Sequence, residues 1–184
     1  MKRIFRVALI IFSLLLAGSV PAWAAGGGWQ YPAIKDYGGI KPLPDAVNQP
    51  STDARHKAVF DVTKAAKSPD QPNPGLEHVA RAVNVFASAG VPVDKLDFVA
   101  VVHGPATPSI LNDAQYQEQF GQANPNTALI AALRKAGVTV HVCGQALAEH
   151  AFDQSWVDDD VDVALSALSD LVIYGERGYA LVPQ

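Results

Sequence analysis

The sequence predicts a three-layer α/β/α domain, in which helices cover both faces of a mostly parallel sheet. Short apolar runs rich in β-branched residues alternate with segments whose apolar residues recur every three or four positions. Residues 96–103 are apolar almost throughout, as in strands buried on both faces. A chain of 184 residues that is 49% hydrophobic can bury one core and is too short for two ordinary domains.

The first 24 residues have the pattern of a signal peptide. Basic residues at positions 2, 3 and 6 precede an apolar stretch, Val7 to Ala17, and the small-x-small pattern Ala22-Trp23-Ala24 follows. The apolar stretch has about 11 residues, whereas a membrane span needs roughly 20, so an uncleaved anchor is the weaker reading. We therefore expect cleavage after Ala24 and a mature protein that is exported to the periplasm.

Residues 25–55 are rich in glycine and proline and show neither helical nor strand periodicity. We predict an extended arm that lies on its own domain, the alternative being that it lies on a neighbouring subunit. The α/β domain then occupies residues 56–184.

Periodicity and turn residues define the elements of that domain. Strands are predicted at 58–63, 96–103, 138–143 and 179–182, and helices at 76–87, 113–120, 125–136, 145–152 and 160–177. Asn124 and Pro125 are expected as the N-cap and first residue of the third helix. The last helix is expected to bury Leu165, Leu168 and Val172, with the acidic residues 158–160 at its positive end. A hairpin over 171–182 is the alternative.

Composition argues against several classes of protein. There are 14 Lys and Arg against 18 Asp and Glu, a net charge of -4, and no basic cluster that could follow a nucleic-acid backbone. The single cysteine, Cys143, excludes an internal disulfide framework, a CxxC redox motif and a multi-cysteine zinc site. The sequence contains neither a P-loop nor a GxGxxG motif, which argues against the commonest classes of nucleotide-binding protein.

Reactive side chains are expected where the strands end. Asp61 and Thr63 close the first strand, His103 the second and Cys143 the third, and ligands of open parallel sheets gather at that edge. If a helix starts after Cys143, its first amides point at the sulfur and favour a thiolate nucleophile. The alternative is that Cys143 is only a small core residue.

Two histidines near the strand ends, His103 and His141, could be either functional or structural. His103 either transfers protons beside Cys143 or donates to a loop carbonyl and holds the turn at Gly104. His141 points to the same side of the sheet as Cys143, and burial with one hydrogen bond is expected for it. A Cys-His-Asp hydrolase arrangement with Asp61 and a metal site of Cys143, His103 and His141 are weaker alternatives, and Asp61 is expected to cap the following turn.

Several stretches resemble the DsrE/DsrF-like family, in particular an exported branch of it. They are Val101-Val102-His103-Gly104, Asn124-Pro125-Asn126, the segment from Leu133 to Gln145 with its Val-Cys-Gly-Gln turn, and Gly178 to Pro183. The resemblance covers residues 57–184 and implies a flavodoxin-like α/β fold and assembly into trimers or hexamers. It also implies that Cys143 carries sulfur as a persulfide, with His103 as its neighbour.

The leading hypothesis is therefore an exported, oligomeric sulfur carrier or sulfurtransferase that acts through a persulfide on Cys143. Its partners are expected to be a small sulfur compound or a sulfur-transfer protein, and it needs no organic cofactor or metal. The alternative is a non-catalytic binding or assembly protein with the same fold.

Overall fold

The computed structural model describes residues 28–184. Five strands form one sheet in the order β4-β3-β2-β1-β5, and all four pairings are parallel. In chain order the elements are β1 (His56–Val62), α1 (Pro74–Ser88), β2 (Leu96–Val102), α2 (Asp113–Phe120), α3 (Thr127–Lys135), β3 (Thr139–Cys143), α4 (Gly144–Glu149), β4 (Asp162–Ala164), α5 (Ala167–Glu176) and β5 (Ala180–Pro183). The α/β prediction is confirmed, and the sheet is parallel throughout. No helix within residues 28–184 has the length and apolar content required to cross a membrane.

The order of the strands decides which helix covers which face. Strands β1 to β4 step across the sheet in one direction, whereas the connection from β4 to β5 returns past all of them. Because such crossovers are right-handed, a reversal of direction moves the connecting helix to the opposite face. Helices α1 and α3 therefore cover what we call the first face, and α5 covers the second face.

The two faces have cores of very different size. The first face carries the larger core, which includes Phe60, Phe98 and Val140 from the strands and Leu76 and Leu133 from the helices. The second face carries a small cluster formed by Val59, Val99, Val101, Cys143, Ala146 and Ala167. Most of the apolar burial that stabilises the fold thus lies on the first face. Cys143 belongs to the smaller core of the second face.

The predicted helix over 160–177 is wrong in its first third. Residues 162–164 form a short edge strand, β4, and Ser166 caps a helix that starts only at Ala167, accepting a hydrogen bond from the Leu168 N–H at 3.1 Å. A strand of three residues is too short to show a period of its own, so the apolar spacing of the following helix extended the prediction backwards.

The acidic run consequently precedes a strand and not a helix. The Asp158 carboxylate accepts a hydrogen bond from the Asp160 N–H at 2.9 Å and fixes the turn that enters β4. Burial raises the pKa of Asp158, the hydrogen bond from the Asp160 N–H partly offsets this rise, and the neighbouring carboxylates of Asp160, Asp159 and Asp113 add to it. Folding therefore makes this side chain harder to ionise than it is in the unfolded chain.

We expect the Asp158→Asn variant to be slightly more stable than the wild type at neutral pH. A raised folded-state pKa means that this group contributes stability below its unfolded-state pKa and loses it as the pH rises through the folded-state value. Asparagine keeps the acceptor oxygen without the charge. Thermal melts should show a higher Tm for the variant near pH 7 and no gain near pH 3, and equal gains at both pH values would contradict the assignment.

The third helix begins two residues later than predicted. The Asn124 side chain does accept a hydrogen bond from the Asn126 N–H at 2.9 Å, but it caps a turn, and α3 starts at Thr127. The Asn124 amide donates to the carbonyls of Ser109 and Leu111, at 2.9 and 2.6 Å. The buried Asn124 side chain thus stabilises both the loop after β2 and the turn before α3. Its hydrogen bond to that turn explains why it resembles an N-cap in the sequence.

The arm lies on the first face of its own domain, where a buried asparagine of α1 holds it. The Asn84 Oδ1 accepts hydrogen bonds from the N–H groups of Ala33 and Ile34 at 2.9 and 2.8 Å, and its Nδ2 donates to the carbonyls of Ile34, Tyr37 and Gly38. Gly38 has a φ of +59°, and a Cβ there would stand 2.1 Å from the Arg81 nitrogen. Only glycine allows the arm to approach α1 so closely.

We expect Asn84→Ala to destabilise the protein by about 2–4 kcal/mol, because buried N–H and C=O groups of the arm lose their partners. The loss should include release of the arm, which limited proteolysis between residues 28 and 55 would report. Urea unfolding measures the stability. An Asn84→Ala variant with the wild-type midpoint and an uncut arm would show that apolar contacts alone hold the segment.

Candidate functional site

Cys143 is the last residue of β3, as predicted, and its sulfur accepts a hydrogen bond. The donor is the N–H of Ala146 in the first turn of α4, at 3.4 Å from Sγ. A thiolate accepts such a bond more strongly than a thiol does. The residue is buried, with 6% of its surface exposed, in the cluster of the second face. Both readings of this cysteine, as nucleophile and as core residue, therefore find support in its geometry.

The glycine after Cys143 is required by a close approach and not by the turn itself. A Cβ on Gly144 would stand 2.9 Å from the carbonyl oxygen of Ala164, at the end of β4. Gly104, which follows His103, is different because it has a φ of +54° and open space around it. The two similar His-Gly and Cys-Gly pairs in the sequence thus have different structural reasons.

His103 is bound to Asp61 and not to a loop carbonyl. The Nε2 of His103 and the Oδ1 of Asp61 are 2.6 Å apart, with 27% and 25% of the two side chains exposed. The expectation that Asp61 caps the turn after β1 is wrong, because the carboxylate points across to the next strand. This pair forms an accessible carboxylate–imidazole unit at the carboxyl edge of the sheet.

Strand register places His103 between Asp61 and Cys143. Strand β2 lies between β1 and β3, and Val102 pairs with Val62 on one side and with Val142 on the other. His103 continues β2 with extended backbone, and its N–H donates to the Val62 carbonyl at 3.0 Å. Parallel strands lie about 4.8 Å apart, so His103 and Cys143 are next to each other on adjacent strands. Within residues 28–184, the sulfur and the imidazole form no hydrogen bond with each other.

His141 makes the one predicted hydrogen bond, to a partner on the covering helix, but its side chain is only partly buried, with 18% of it exposed. Its Nδ1 is 2.6 Å from the Oδ2 of Asp170 in α5. The Tyr174 ring packs 6.0 Å from the imidazole, and burial, followed by the Asp170 carboxylate, raises the pKa of this tyrosine. This second carboxylate–imidazole pair fastens α5 to the sheet beside Cys143.

A shallow hollow of about 240 Å³ lies beside the end of β3. It is lined by Gly144 and Gln145, which directly follow Cys143, and by residues of the β4 end and the loops around it, namely Gln154, Val163, Ala164 and Leu165. It offers room for a small molecule next to the turn that holds the sulfur. In the described part of the chain, no three His, Cys, Asp or Glu side chains come together in a way that could hold a metal ion.

The second face also carries exposed apolar side chains, three of which the sequence analysis placed in the core. Leu168 and Val172 of α5 are 80% and 60% exposed. Leu165 and, on β5, Leu181 are exposed as well. The predicted buried stripe, which also included Leu171, is therefore wrong at Leu165, Leu168 and Val172. The helix instead buries Ala167 and partly buries Leu171 and Tyr174. We call Leu165, Leu168, Val172 and Leu181 the outer patch.

Comparison with known proteins assigns the chain to a family. The model of the DsrE/DsrF-like family matches residues 45–183, well over half of the chain. The chain belongs to the DsrE/DsrF-like family. The match confirms the resemblance to the family as a whole that the Val-Cys-Gly-Gln turn and the stretches around it indicated. It begins within the arm and includes all five strands.

Two solved structures have the same fold as this DsrE-like chain. One is a protein of unknown function, MTH1491, from Methanobacterium thermoautotrophicum, with a TM-score of 0.54, 16% identity, and coverage of 70% of this chain and 99% of that one. The other is the ychN protein of E. coli, with a TM-score of 0.52, 13% identity, and the same coverage of 70% and 99%. The chain matches none of the curated protein sequences with which it was compared.

Sequence reasoning misses Asp170 as the partner of His141, and it pairs Asp61 with His103 only in the weaker Cys-His-Asp alternative. The alternation of β1 gives a signal for Asp61, since it shares the second face with Val59 and lies diagonally opposite His103. No signal within the sequence places Asp170 against His141, because that contact depends on how α5 crosses the sheet.

Proposed function

We propose that this DsrE-like protein is a sulfur carrier that holds sulfur as a persulfide on Cys143. The observation that supports this proposal best is the position of the cysteine, which ends β3 with its sulfur accepting the Ala146 N–H and with His103 on the adjacent strand. The family match supplies the second support, because it includes the Val-Cys-Gly-Gln turn.

The proposed chemistry is an exchange of sulfane sulfur without net oxidation. The Cys143 thiolate attacks the outer sulfur of a donor persulfide, R–S–SH. The S–S bond of the donor breaks, a new S–S bond forms on Cys143, and the donor leaves as the thiolate R–S⁻. Discharge is the same step in reverse with a different acceptor thiol. The reaction requires neither a metal nor an organic cofactor, and its partners are small sulfur compounds or another sulfur-transfer protein.

We also propose that the chain works as a homo-oligomer, a trimer or hexamer, assembled through the outer patch. The apolar face of α5 has no partner within residues 28–184, although its leucine and valine side chains would favour burial. The arm lies against α1 on the first face, whereas the outer side of α5 on the second face is covered by no other described residue. The basic and apolar pattern of residues 1–24 supports action in the periplasm after export; these residues lie outside the described part of the chain.

Intact-mass measurement tests the carrier function. The purified protein is incubated with polysulfide, desalted and weighed before and after treatment with dithiothreitol. We expect a gain of about 32 Da, the mass of one sulfur atom, which the reductant removes. A protein that stays at its original mass over a range of pH values would overturn the proposal.

A second candidate function, a non-catalytic binding or assembly protein, is favoured by the low exposure of the Cys143 side chain, of which 6% of the surface is accessible. Titration with a thiol reagent separates the two. A carrier reacts in the native state, whereas a core cysteine reacts only after unfolding. Equal reaction rates in buffer and in denaturant would exclude the buried-cysteine reading.

A further inference from the structure

The second face holds a unit to which the carrier function gives no role so far, the hydrogen-bonded pair of Asp61 and His103. The Oδ1 of Asp61 lies 2.6 Å from the Nε2 of His103, at the end of β2 where ligands of parallel sheets gather. A carboxylate accepts a hydrogen bond and does not donate one, so this contact requires the proton of the neutral imidazole to reside on Nε2. The other ring nitrogen, Nδ1, is then the basic one.

The Nδ1 atom of His103 is free to accept a proton. Within the described residues it accepts no hydrogen bond, and about a quarter of the side chain is exposed, at 27%. Strand β2 runs between β1 and β3, so the imidazole has its orienting carboxylate on one side and the sulfur-bearing strand on the other. An acceptor thiol that approaches a persulfide on Cys143 therefore comes next to this ring.

We propose that Asp61 is a positioning residue, which fixes His103 in the Nε2–H tautomer so that Nδ1 takes the proton of the acceptor thiol during discharge. This inference rests on the proposed carrier function and deepens it. The acceptor R–SH transfers its proton to Nδ1, and the resulting thiolate attacks the outer sulfur of the Cys143 persulfide. The Cys143–S bond to that sulfur breaks, Cys143 leaves as a thiolate, and the product is R–S–SH. The imidazolium formed is stabilised by Asp61, and it then releases its proton to solvent.

The partner carboxylate matters because an amide in its place reverses the hydrogen bond. In the Asp61→Asn variant the Nδ2–H of asparagine can donate to Nε2, which moves the imidazole proton to Nδ1 and removes the base. The shape of the side chain is nearly unchanged, so the variant alters the tautomer with little effect on packing.

Two measurements on the full-length protein test the proposal. Long-range ¹H–¹⁵N correlation spectra of the imidazole report the tautomer of His103, and we expect Nε2–H in the wild type and a shift toward Nδ1–H in Asp61→Asn. Intact mass followed over time reports discharge of the loaded protein to glutathione, and we expect the rate to fall by about tenfold or more. In a His103→Gln background, Asp61→Asn should add no further loss, because the carboxylate acts through the histidine.

Asp97→Asn is the matched control. Asp97 also lies on the second face, near the amino end of β2, where it is 3.5 Å from Arg55, and the same substitution there should leave both readouts unchanged. Wild-type tautomer and wild-type discharge rate in Asp61→Asn would overturn the proposal. If the wild type takes up no sulfur, the carrier function fails, while the tautomer spectra still decide separately whether Asp61 orients His103.

Discussion

Replacement of Cys143 by serine is expected to abolish sulfur loading completely. Cys143 is the only cysteine of the chain, so no other side chain can form a persulfide. The expected result is a Cys143→Ser protein whose mass is the same before and after polysulfide treatment, beside a wild type that gains about 32 Da, one sulfur atom. Mass spectrometry of the intact proteins measures the difference.

The serine variant needs a control for its fold, because Cys143 lies in the small core of the second face. Serine is close to cysteine in size and can accept the Ala146 N–H, so the far-UV circular dichroism should match that of the wild type. If the Cys143→Ser protein still gains mass that dithiothreitol removes, the sulfur is bound adventitiously and is not carried by this thiol.

Replacement of Leu168 by aspartate is expected to dissociate the proposed oligomer into monomers. Leu168 is 80% exposed in the single chain, so its loss removes no core contact. The position is in the first turn of α5, where a carboxylate stabilises the helix. The charge would have to be buried in an interface formed by the outer patch, at a cost that a trimer or hexamer cannot offset. Sedimentation velocity gives the mass of the particles.

Leu43→Asp is the matched control for this variant. Leu43 is also an exposed leucine, but it lies in the arm, on the other side of the molecule. We expect the control to keep the mass of the wild type. A Leu168→Asp protein with the wild-type mass, or a Leu43→Asp protein that dissociates, would show that assembly uses a different surface.

The sequence was sufficient to predict the elements whose apolar patterns are long. Strand β2 and helix α1 lie close to where their apolar patterns placed them, because each has at least seven residues and clear end signals. Strand β4 could not be found, since its three residues lie at the edge of the sheet and lack a complete alternation. The same limit explains why the last helix was extended back to Asp160.

Burial on α5 could not be predicted from the sequence for a different reason. An apolar stripe indicates that a helix face favours burial, but it does not identify the surface that buries it. Leu168 and Val172 were assigned to the core of their own chain, and the structure leaves them exposed. The sequence did predict that Asp61, His103 and Cys143 lie at neighbouring strand ends, at the carboxyl edge of the sheet. The hydrogen bond between Asp61 and His103 depends in addition on side-chain geometry.

The return of the chain from β4 to β5 sets the order in which the protein can fold. Strand β5 pairs with β1, about 120 residues earlier in the sequence, and the Gln184 N–H donates to the Asp61 carbonyl at 3.1 Å. The side of β1 that faces β5 is therefore paired only after residues 180–183 have been synthesised. Contacts between such distant segments form slowly, because a large loop must close before they are made. A nascent chain that lacks residues 180–183 thus leaves one side of β1 without a hydrogen-bonding partner.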